Sequence, residues 1–202
     1  MARLSRLESR ERTRALILDA ARAVVSEMGY DGASISDIAL RAGFSKGAFF
    51  SNFDSKEALL IEVLRIDKEQ ELTMLKMVLE GLSDAEAVLA LDQYIDGLSG
   101  NRACAVLDVE MQLHAARSPE FANIYEQLAD TTRKSLGQLI NLLFARAGKV
   151  APLPLDELAE LFLSLFQGLI VRRVDNPGHC IRLVLNSLVD TAAKVKPDEP
   201  SK

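Results

Sequence analysis

The sequence predicts an all-α protein in which a small N-terminal helix-turn-helix domain precedes a larger helical domain. Apolar residues recur at helical spacing, the alternation typical of strands is absent, and the few glycine and proline clusters separate long periodic segments. With 49% apolar residues among 202, the chain can bury a core. We expect an N-terminal domain over 1–54, a connecting helix over 55–80, a helical body over 81–195 and a disordered tail over 196–202.

The first helix is predicted from about Glu8 to Met28. Gly29 follows as its C-cap, because only glycine takes a left-handed backbone without a Cβ penalty. Tyr30 can then fold back on the end of the helix. The apolar face of this helix consists of Leu16, Ile17, Ala20, Ala21, Val24, Val25 and Met28.

Two short helices follow, joined by a turn that contains Gly43. An S-x-x-D pattern starting at Ser34 predicts a cap for the first helix, and Ser45 can cap the second. Phe49 and Phe53, at i and i+4, give the second helix an aromatic side that suits a core. This arrangement is typical of a helix-turn-helix, whose second helix can lie in the DNA major groove. The other side of that helix carries Lys46, Gly47, Ala48, Ser51 and Asn52.

A long helix is predicted next, capped by Asp54 or Ser55 and running to about Leu79. At 1.5 Å per residue, a helix of ~25 residues spans roughly 38 Å, which is long enough to join two domains. Its polar segment 67–71 is expected to cross between them. Further helices are predicted near 84–96, 102–117, 119–147, 156–174 and 177–193, separated by glycine and proline.

The net charge of −5 conceals an uneven distribution. Residues 1–60 hold nine Lys and Arg against eight Asp and Glu, and the remainder holds 15 against 21. Basic charge therefore collects near the helix-turn-helix, as a nucleic-acid footprint would, although a frayed and solvated helix start would give the same pattern. The arginines at the N-terminus are Arg3, Arg6, Arg10, Arg12 and Arg14.

Cysteine and histidine are too few for a zinc framework or a disulfide scaffold. Glu110 and His114, at i and i+4, could share a metal, but one such pair without further ligands is a weak signal. We therefore expect no metal site and no cofactor. No apolar signal segment follows the N-terminus, and the longest apolar run, Leu161 to Val171, is short of the ~20 residues of a membrane span. A cytoplasmic protein without a membrane partner is expected.

Residues Gly29 to Leu60, GYDGASISDIALRAGFSKGAFFSNFDSKEALL, resemble the N-terminal domain of TetR-family transcriptional regulators. The family usually has tyrosine at the position of Phe50, where a phenolic hydroxyl would reach a phosphate. We therefore expect weaker DNA binding than with tyrosine there. The residues that match the family pattern are Gly29, Tyr30, Ser34, Ile38, Ala39, Ala42, Gly43, Ser45, Gly47, Phe53, Lys56 and Leu59.

This resemblance implies a regulator that binds an operator in double-stranded DNA. Lys46 can donate to guanine or to a phosphate, Asn52 can pair with adenine, and Gly47 lets the backbone approach. Ser34 and Lys56 are expected to hold phosphates. The predicted DNA-binding residues are Ser34, Ser45, Lys46, Gly47, Ala48, Phe50, Asn52 and Lys56.

The last two predicted helices resemble the four-helix dimer interface of the family. Such apolar stripes are most often monomer core. A DNA-binding domain as small as residues 1–54, here called the head, nevertheless needs a second copy to read an operator that consists of two half-sites. A homodimer predicts a pseudo-palindromic operator with half-sites about 34–36 Å apart, or a multiple of that. The predicted interface residues are Leu158, Leu161, Phe162, Leu165, Leu169, Ile181, Val184, Leu185, Leu188 and Val189, with Gly168 permitting close helix approach.

If the resemblance extends further, the middle helices hold a pocket for an unknown small-molecule effector that releases the operator. Effector pockets are mostly apolar with a few polar groups, and each candidate would equally suit ordinary core or surface. The candidates are Tyr94, Cys104, Asp108, Met111, Gln112, His114, Tyr125, Phe144, Phe162 and Phe166.

Two other functions remain open at this point. An all-α enzyme could use His114 with Asp108, Glu110 or Cys104, but it would leave the helix-turn-helix unexplained and lacks a positioned nucleophile–base pair. A helical adaptor whose head binds protein would show no steep salt dependence. The sequence leaves open the effector, the operator, the regulated genes and the choice between repression and activation.

Overall fold

The computed structural model describes residues 5–81, 93 and 102–194, and it confirms the predicted all-α class. The helices of these residues are α1 (Arg6–Gly32), α2 (Ile35–Arg41), α3 (Lys46–Phe50), α4 (Lys56–Gly81), α5 (Arg102–Ala115), α6 (Pro119–Arg146), α7 (Leu155–Val171) and α8 (Pro177–Thr191). Apart from Gln93, the helix predicted near 84–96 lies outside the described residues, as do Tyr94 and the tail 196–202. Within the described ranges, no helix has the length and apolar character needed to cross a membrane.

Helix α1 begins earlier than predicted because Ser5 caps it. The Ser5 hydroxyl accepts the N–H of Glu8 at 3.2 Å, and the Glu8 carboxylate accepts the N–H of Ser5 at 2.7 Å. The helical backbone breaks at Gly29, with φ 72° and ψ 176°. Almost only glycine adopts this conformation, so the predicted helix end coincides with a break that the residue type permits.

The chain divides into two compact units that cross the predicted domain boundaries. The first contains Met1–Asp67 and Ala103–Leu128, and the second contains Lys68–Arg102 and Ala129–Lys202. The division inside α4 falls at the predicted polar segment 67–71. Helix α5 and the start of α6, which the sequence assigned to the body, belong to the unit that contains the helix-turn-helix.

The second unit has a core built from α6, α7 and α8. Gly137 of α6 lies close to the start of α7, since a Cβ there would stand 3.2 Å from the Leu155 carbonyl oxygen. Lys149 Nζ donates to the Ala192 carbonyl at 2.9 Å and so ties the end of α8 to the loop after α6. The buried core residues are Ile140, Phe144, Leu158, Ala159, Phe162, Ile181, Leu185 and Ala192.

Candidate nucleic-acid interface

Local caps build the helix-turn-helix. The Ser34 hydroxyl accepts the Asp37 N–H at 3.2 Å and donates to the Asp37 carboxylate. Gly43 forms the turn with a φ of 79°, in the left-handed region that favours glycine. Ser45 caps α3 by accepting the Ala48 N–H at 3.2 Å. These contacts confirm the predicted caps and turn.

Helix α3 rests on an aromatic base. Phe49 and Phe53 are 0% and 4% exposed, which confirms their prediction as core. Arg14 of α1 lies 4.1 Å from the centroid of the Phe53 ring, pairs with Glu62 of α4 and donates to the Asn52 carbonyl. One α1 side chain therefore ties the end of α3 to α4, a role that its place among the N-terminal arginines did not indicate.

Other charges of the head are also paired. Arg41 donates to both oxygens of Glu27, at 2.6 and 2.7 Å, which holds α2 to α1 and lowers the pKa of the Glu27 carboxyl. Arg22 pairs with Asp67 of α4 at 2.7 Å, and hydrogen bonding to Asp67 raises the pKa of the Arg22 guanidinium. The exposed arginines near the start of α1 are Arg6, Arg10 and Arg12.

The predicted DNA-binding residues differ in exposure, and their contact with DNA stays a prediction. Most of them lie on α3 or at its two ends, where a groove-binding helix would present them. The exposed ones are Ser34, Ser45, Lys46, Gly47 and Phe50, and the half-buried ones are Ala48, Asn52 and Lys56.

Two of the half-buried residues already have partners inside the protein. The Asn52 amide nitrogen donates to the Ala48 carbonyl at 2.8 Å, and its oxygen is buried without a hydrogen-bond partner in the described part of the chain. Lys56 Nζ donates to the Tyr30 and Ala33 carbonyls at 2.8 and 3.1 Å and lies 4.1 Å from the Tyr30 ring centroid. An adenine contact by Asn52 or a phosphate contact by Lys56 would require these bonds to be shared or broken.

Within the first unit, a further connection runs from the end of α1 to α5. The N–H of Tyr30, directly after the break at Gly29, donates to the Glu110 carboxylate at 2.8 Å. Its other oxygen lies 3.1 Å from the point where a Cβ of Gly29 would stand. His114, one turn later, has its ring 5.2 Å from that of Tyr30 and 4.8 Å from that of Phe121. Sequence reasoning missed this role of Glu110, because its partner is 80 residues away.

The effector-pocket candidates fall into both compact units. Asp108, which is buried, accepts from the hydroxyl of the buried Tyr125 at 3.0 Å, whereas Gln112 is exposed. The candidates in the first unit are Cys104, Asp108, Met111, Gln112, His114 and Tyr125, and those in the second are Phe144, Phe162 and Phe166. Their contact with an effector stays a prediction. Among the residues that the structure describes, no group of three His, Cys, Asp or Glu could hold a metal ion.

Most of the predicted dimer residues pack inside the chain itself. Leu158, Phe162, Ile181 and Leu185 are buried in the core of the second unit, and Leu165, Leu169, Val184, Leu188 and Val189 are partly buried against it. Leu161 is 43% exposed, and Leu183 on α8, which was not among the predicted interface residues, is 58% exposed. One exposed side of α7 presents Leu161, Ser164, Gly168 and Val171.

The fold and the site together define a helix-turn-helix protein, in which capped helices present α3 on a small helical head. Residues 17–63 match the family model of bacterial regulatory proteins, tetR family. This part of the chain is therefore similar to the TetR family of bacterial regulatory proteins, as its sequence indicated.

Relatives and solved structures are similar to the chain in sequence or in fold. The chain is 32% identical to the transcriptional regulator UidR of Escherichia coli over 111 residues, which are 54% of this chain and 55% of UidR. The match thus spans about half the length of this curated relative. The structure of Salmonella enterica GusR has a TM-score of 0.68 at 25% identity and covers 94% of this chain and 100% of GusR. Bacillus subtilis FadR, solved with stearoyl-CoA, has a TM-score of 0.66 at 18% identity and covers 87% and 97% of the two chains.

Proposed function

We propose that this protein is a dimeric, ligand-responsive transcriptional regulator that places α3 in the DNA major groove. The observation that carries the proposal is the exposed side of α3, which presents Lys46 and Gly47 above the buried rings of Phe49 and Phe53. Lys46 can donate to guanine O6 and N7 or to a phosphate. Among the described residues beyond the nearby backbone of α3, a Cβ on Gly47 would meet the Ser45 hydroxyl alone, at 3.6 Å, so the small residue leaves the backbone open to DNA.

The start of α1 supplies positive charge beside α3. Arg10 donates to the Ser51 carbonyl, at 3.5 Å, directly after the last residue of α3. Arg6 and Arg12 are exposed on the same part of α1. We assign these arginines to phosphates that flank the groove, where they would fix the position of the head without reading sequence.

A second copy of the chain is proposed to pack on the exposed side of α7. Apart from Gly168, its chain neighbours and the nearby backbone of α7, no described atom lies within 4 Å of a Cβ built on Gly168, which leaves room for a partner helix to approach. Leu161 and Val171, 43% and 51% exposed, lie on the same side and would leave water in a dimer. A symmetric dimer would present two heads to a pseudo-palindromic operator with half-sites about 34–36 Å apart, or a multiple of that.

We infer that the body binds a small-molecule effector whose binding weakens operator affinity, as in a repressor. The likeness to FadR, solved with stearoyl-CoA, supports a helical body of this kind holding a small molecule. Within the first unit, the hydrogen bond from Tyr30 to Glu110 would carry a displacement of α5 to the end of α1. The effector must bind the DNA-incompetent state more tightly, and bound DNA then weakens effector binding by the same factor.

We further propose that the protein acts in the cytoplasm, where bacterial DNA lies, and is not an enzyme. The relatives are named as transcriptional regulators, which supports a binding function. The residues considered for an enzyme have structural contacts: His114 packs between two aromatic rings, and Asp108 accepts from Tyr125.

Two lysine-to-alanine variants of the protein test the role of α3. Each is assayed on a duplex that the wild-type protein selects from random DNA. Lys46→Ala is expected to weaken binding about fivefold or more, because it removes a groove contact worth ~1–3 kcal/mol. Lys76→Ala removes the same charge from an exposed side of α4 and should change binding less than about twofold. Fluorescence anisotropy over 50–200 mM salt measures both. Equal losses for the two variants would contradict the placement of α3 in the groove.

A further inference from the structure

The polar side chains around α3 are largely committed to the helix itself. The Ser45 hydroxyl accepts the Ala48 N–H at 3.2 Å, and the Ser51 hydroxyl donates to the Gly47 carbonyl at 2.9 Å. The Asn52 amide nitrogen also donates within the helix. Hydrogen-bonded reading of bases by these side chains would therefore have to compete with bonds already made.

Phe50 faces solvent on this helix although it is apolar. It is 54% exposed, and its ring meets the buried Phe49 ring edge-on, with centroids 5.4 Å apart and planes at 81°. This contact limits the positions of the ring. Lys46 lies four residues earlier, so the two side chains are neighbours on one side of α3. Together they present one positive charge and one rigid apolar surface.

In the major groove, the apolar feature of a base pair is the thymine C5-methyl group, and a phenylalanine ring is a suitable contact for it. A phenylalanine ring has no hydroxyl to donate to a phosphate, but it gains free energy when DNA removes it from water. We propose that Phe50 is a specificity-determining residue that reads a thymine methyl in each half-site, beside the base or phosphate bound by Lys46. This inference rests on the proposed function, since it needs α3 in the major groove.

The test replaces thymine with uracil, which removes only the methyl group. On the duplex recovered from random DNA, each thymine of one half-site is replaced in turn, and affinity is measured by fluorescence anisotropy. Uracil at one position should weaken binding by the wild-type protein about fourfold per half-site, the factor that corresponds to one buried methyl group. Phe50→Ala should bind the thymine and uracil duplexes equally, whereas Phe50→Tyr and Lys46→Ala should keep the difference.

The outcomes separate this inference from the proposed function. The wild-type protein could bind with sequence specificity and salt dependence but with the same affinity when any thymine is replaced by uracil. This result would overturn the proposal that Phe50 reads thymine, and the proposed regulator function would stand. A thymine preference that persists in Phe50→Ala, with an unchanged circular-dichroism melt, would assign the methyl to another residue and also overturn it. Absence of sequence-specific binding to any duplex would overturn both proposals.

Discussion

Replacing Glu110 with alanine removes the hydrogen bond between the break in α1 and a carboxylate of α5. In the structure, this carboxylate accepts the N–H of Tyr30 at 2.8 Å, next to a glycine whose backbone angles interrupt the helix. The Tyr30 N–H could bond to a carbonyl of α1 instead only if the backbone at Gly29 became helical. Tyr30 is also only 7% exposed. Glu110→Ala therefore leaves a backbone donor that water reaches poorly.

The expected cost follows from the unsatisfied donor. Leaving a buried donor unpaired costs about 1–3 kcal/mol, and because Glu110 is only half-buried we expect Glu110→Ala to lower the free energy of unfolding by about 1–2 kcal/mol. Glu110→Gln is the matched control: its amide oxygen can still accept the N–H, but the bond loses its charge assistance. We expect the glutamine variant to lose about half as much.

Urea unfolding at one fixed protein concentration measures both variants, with an unchanged m-value required for the comparison. Glu110→Ala should have the lower midpoint of the two. A loss below about 0.3 kcal/mol for alanine would show that the hydrogen bond contributes nothing net to the fold. A glutamine variant as unstable as the alanine variant would mean that charge, not the hydrogen bond to Tyr30, is what Glu110 supplies.

Three further predictions concern the break in α1, helix α3 and the proposed dimer. Gly29→Ala should destabilise the fold by about 1–3 kcal/mol, because the backbone conformation is open essentially to glycine and the new Cβ would stand 3.1 Å from Glu110; a urea midpoint equal to that of the wild type would contradict this. Phe50→Tyr should bind the operator more tightly at moderate salt, because a phenol can donate to a phosphate. Unchanged affinity in fluorescence anisotropy would refute that expectation. Leu161→Arg should convert the proposed dimer to a monomer in size-exclusion chromatography with light scattering, whereas Leu113→Arg, at an exposed site on α5, should leave it dimeric. Identical masses for both variants would place the interface elsewhere.

Local patterns predicted the helix-turn-helix well because the forces that define it act within a few residues. Ser34 and Ser45 each accept a hydrogen bond from the N–H of the residue three positions later. Gly43 has the left-handed backbone that a turn between two helices requires. Each of these sequence signals depends on residues no more than a few positions apart. The spacing of apolar residues likewise located most helix ends to within a few residues.

The contacts that hold the head together could not be read in this way. Arg14 reaches Glu62 across 48 residues, and Lys56 reaches carbonyls 23 and 26 residues earlier. The sequence does not show whether a basic side chain pairs with a carboxylate of the protein or with a phosphate of DNA. The sequence therefore assigned Lys56 to phosphate, which stays a prediction, and did not indicate its hydrogen bonds to the end of α1.

The same limit applies to the predicted dimer residues. An apolar stripe shows which residues leave water but not which surface covers them. Leu158 and Phe162 are covered by residues of the same chain, and Leu161, between them in sequence, is exposed. Only the packing of α6 and α8 against α7 separates the two sides of that helix.

The most direct test of the central claim is selection of the purified protein on random duplex DNA at two salt concentrations, read by sequencing. The proposed regulator should enrich a palindrome whose half-sites lie about one helical turn, or a multiple of it, apart. Binding to it should fall with salt, with the logarithm of the binding constant decreasing by about 0.9 per neutralised phosphate for each tenfold rise. No enriched sequence at either salt concentration, or enrichment that is indifferent to salt, would contradict the assignment of α3 to DNA.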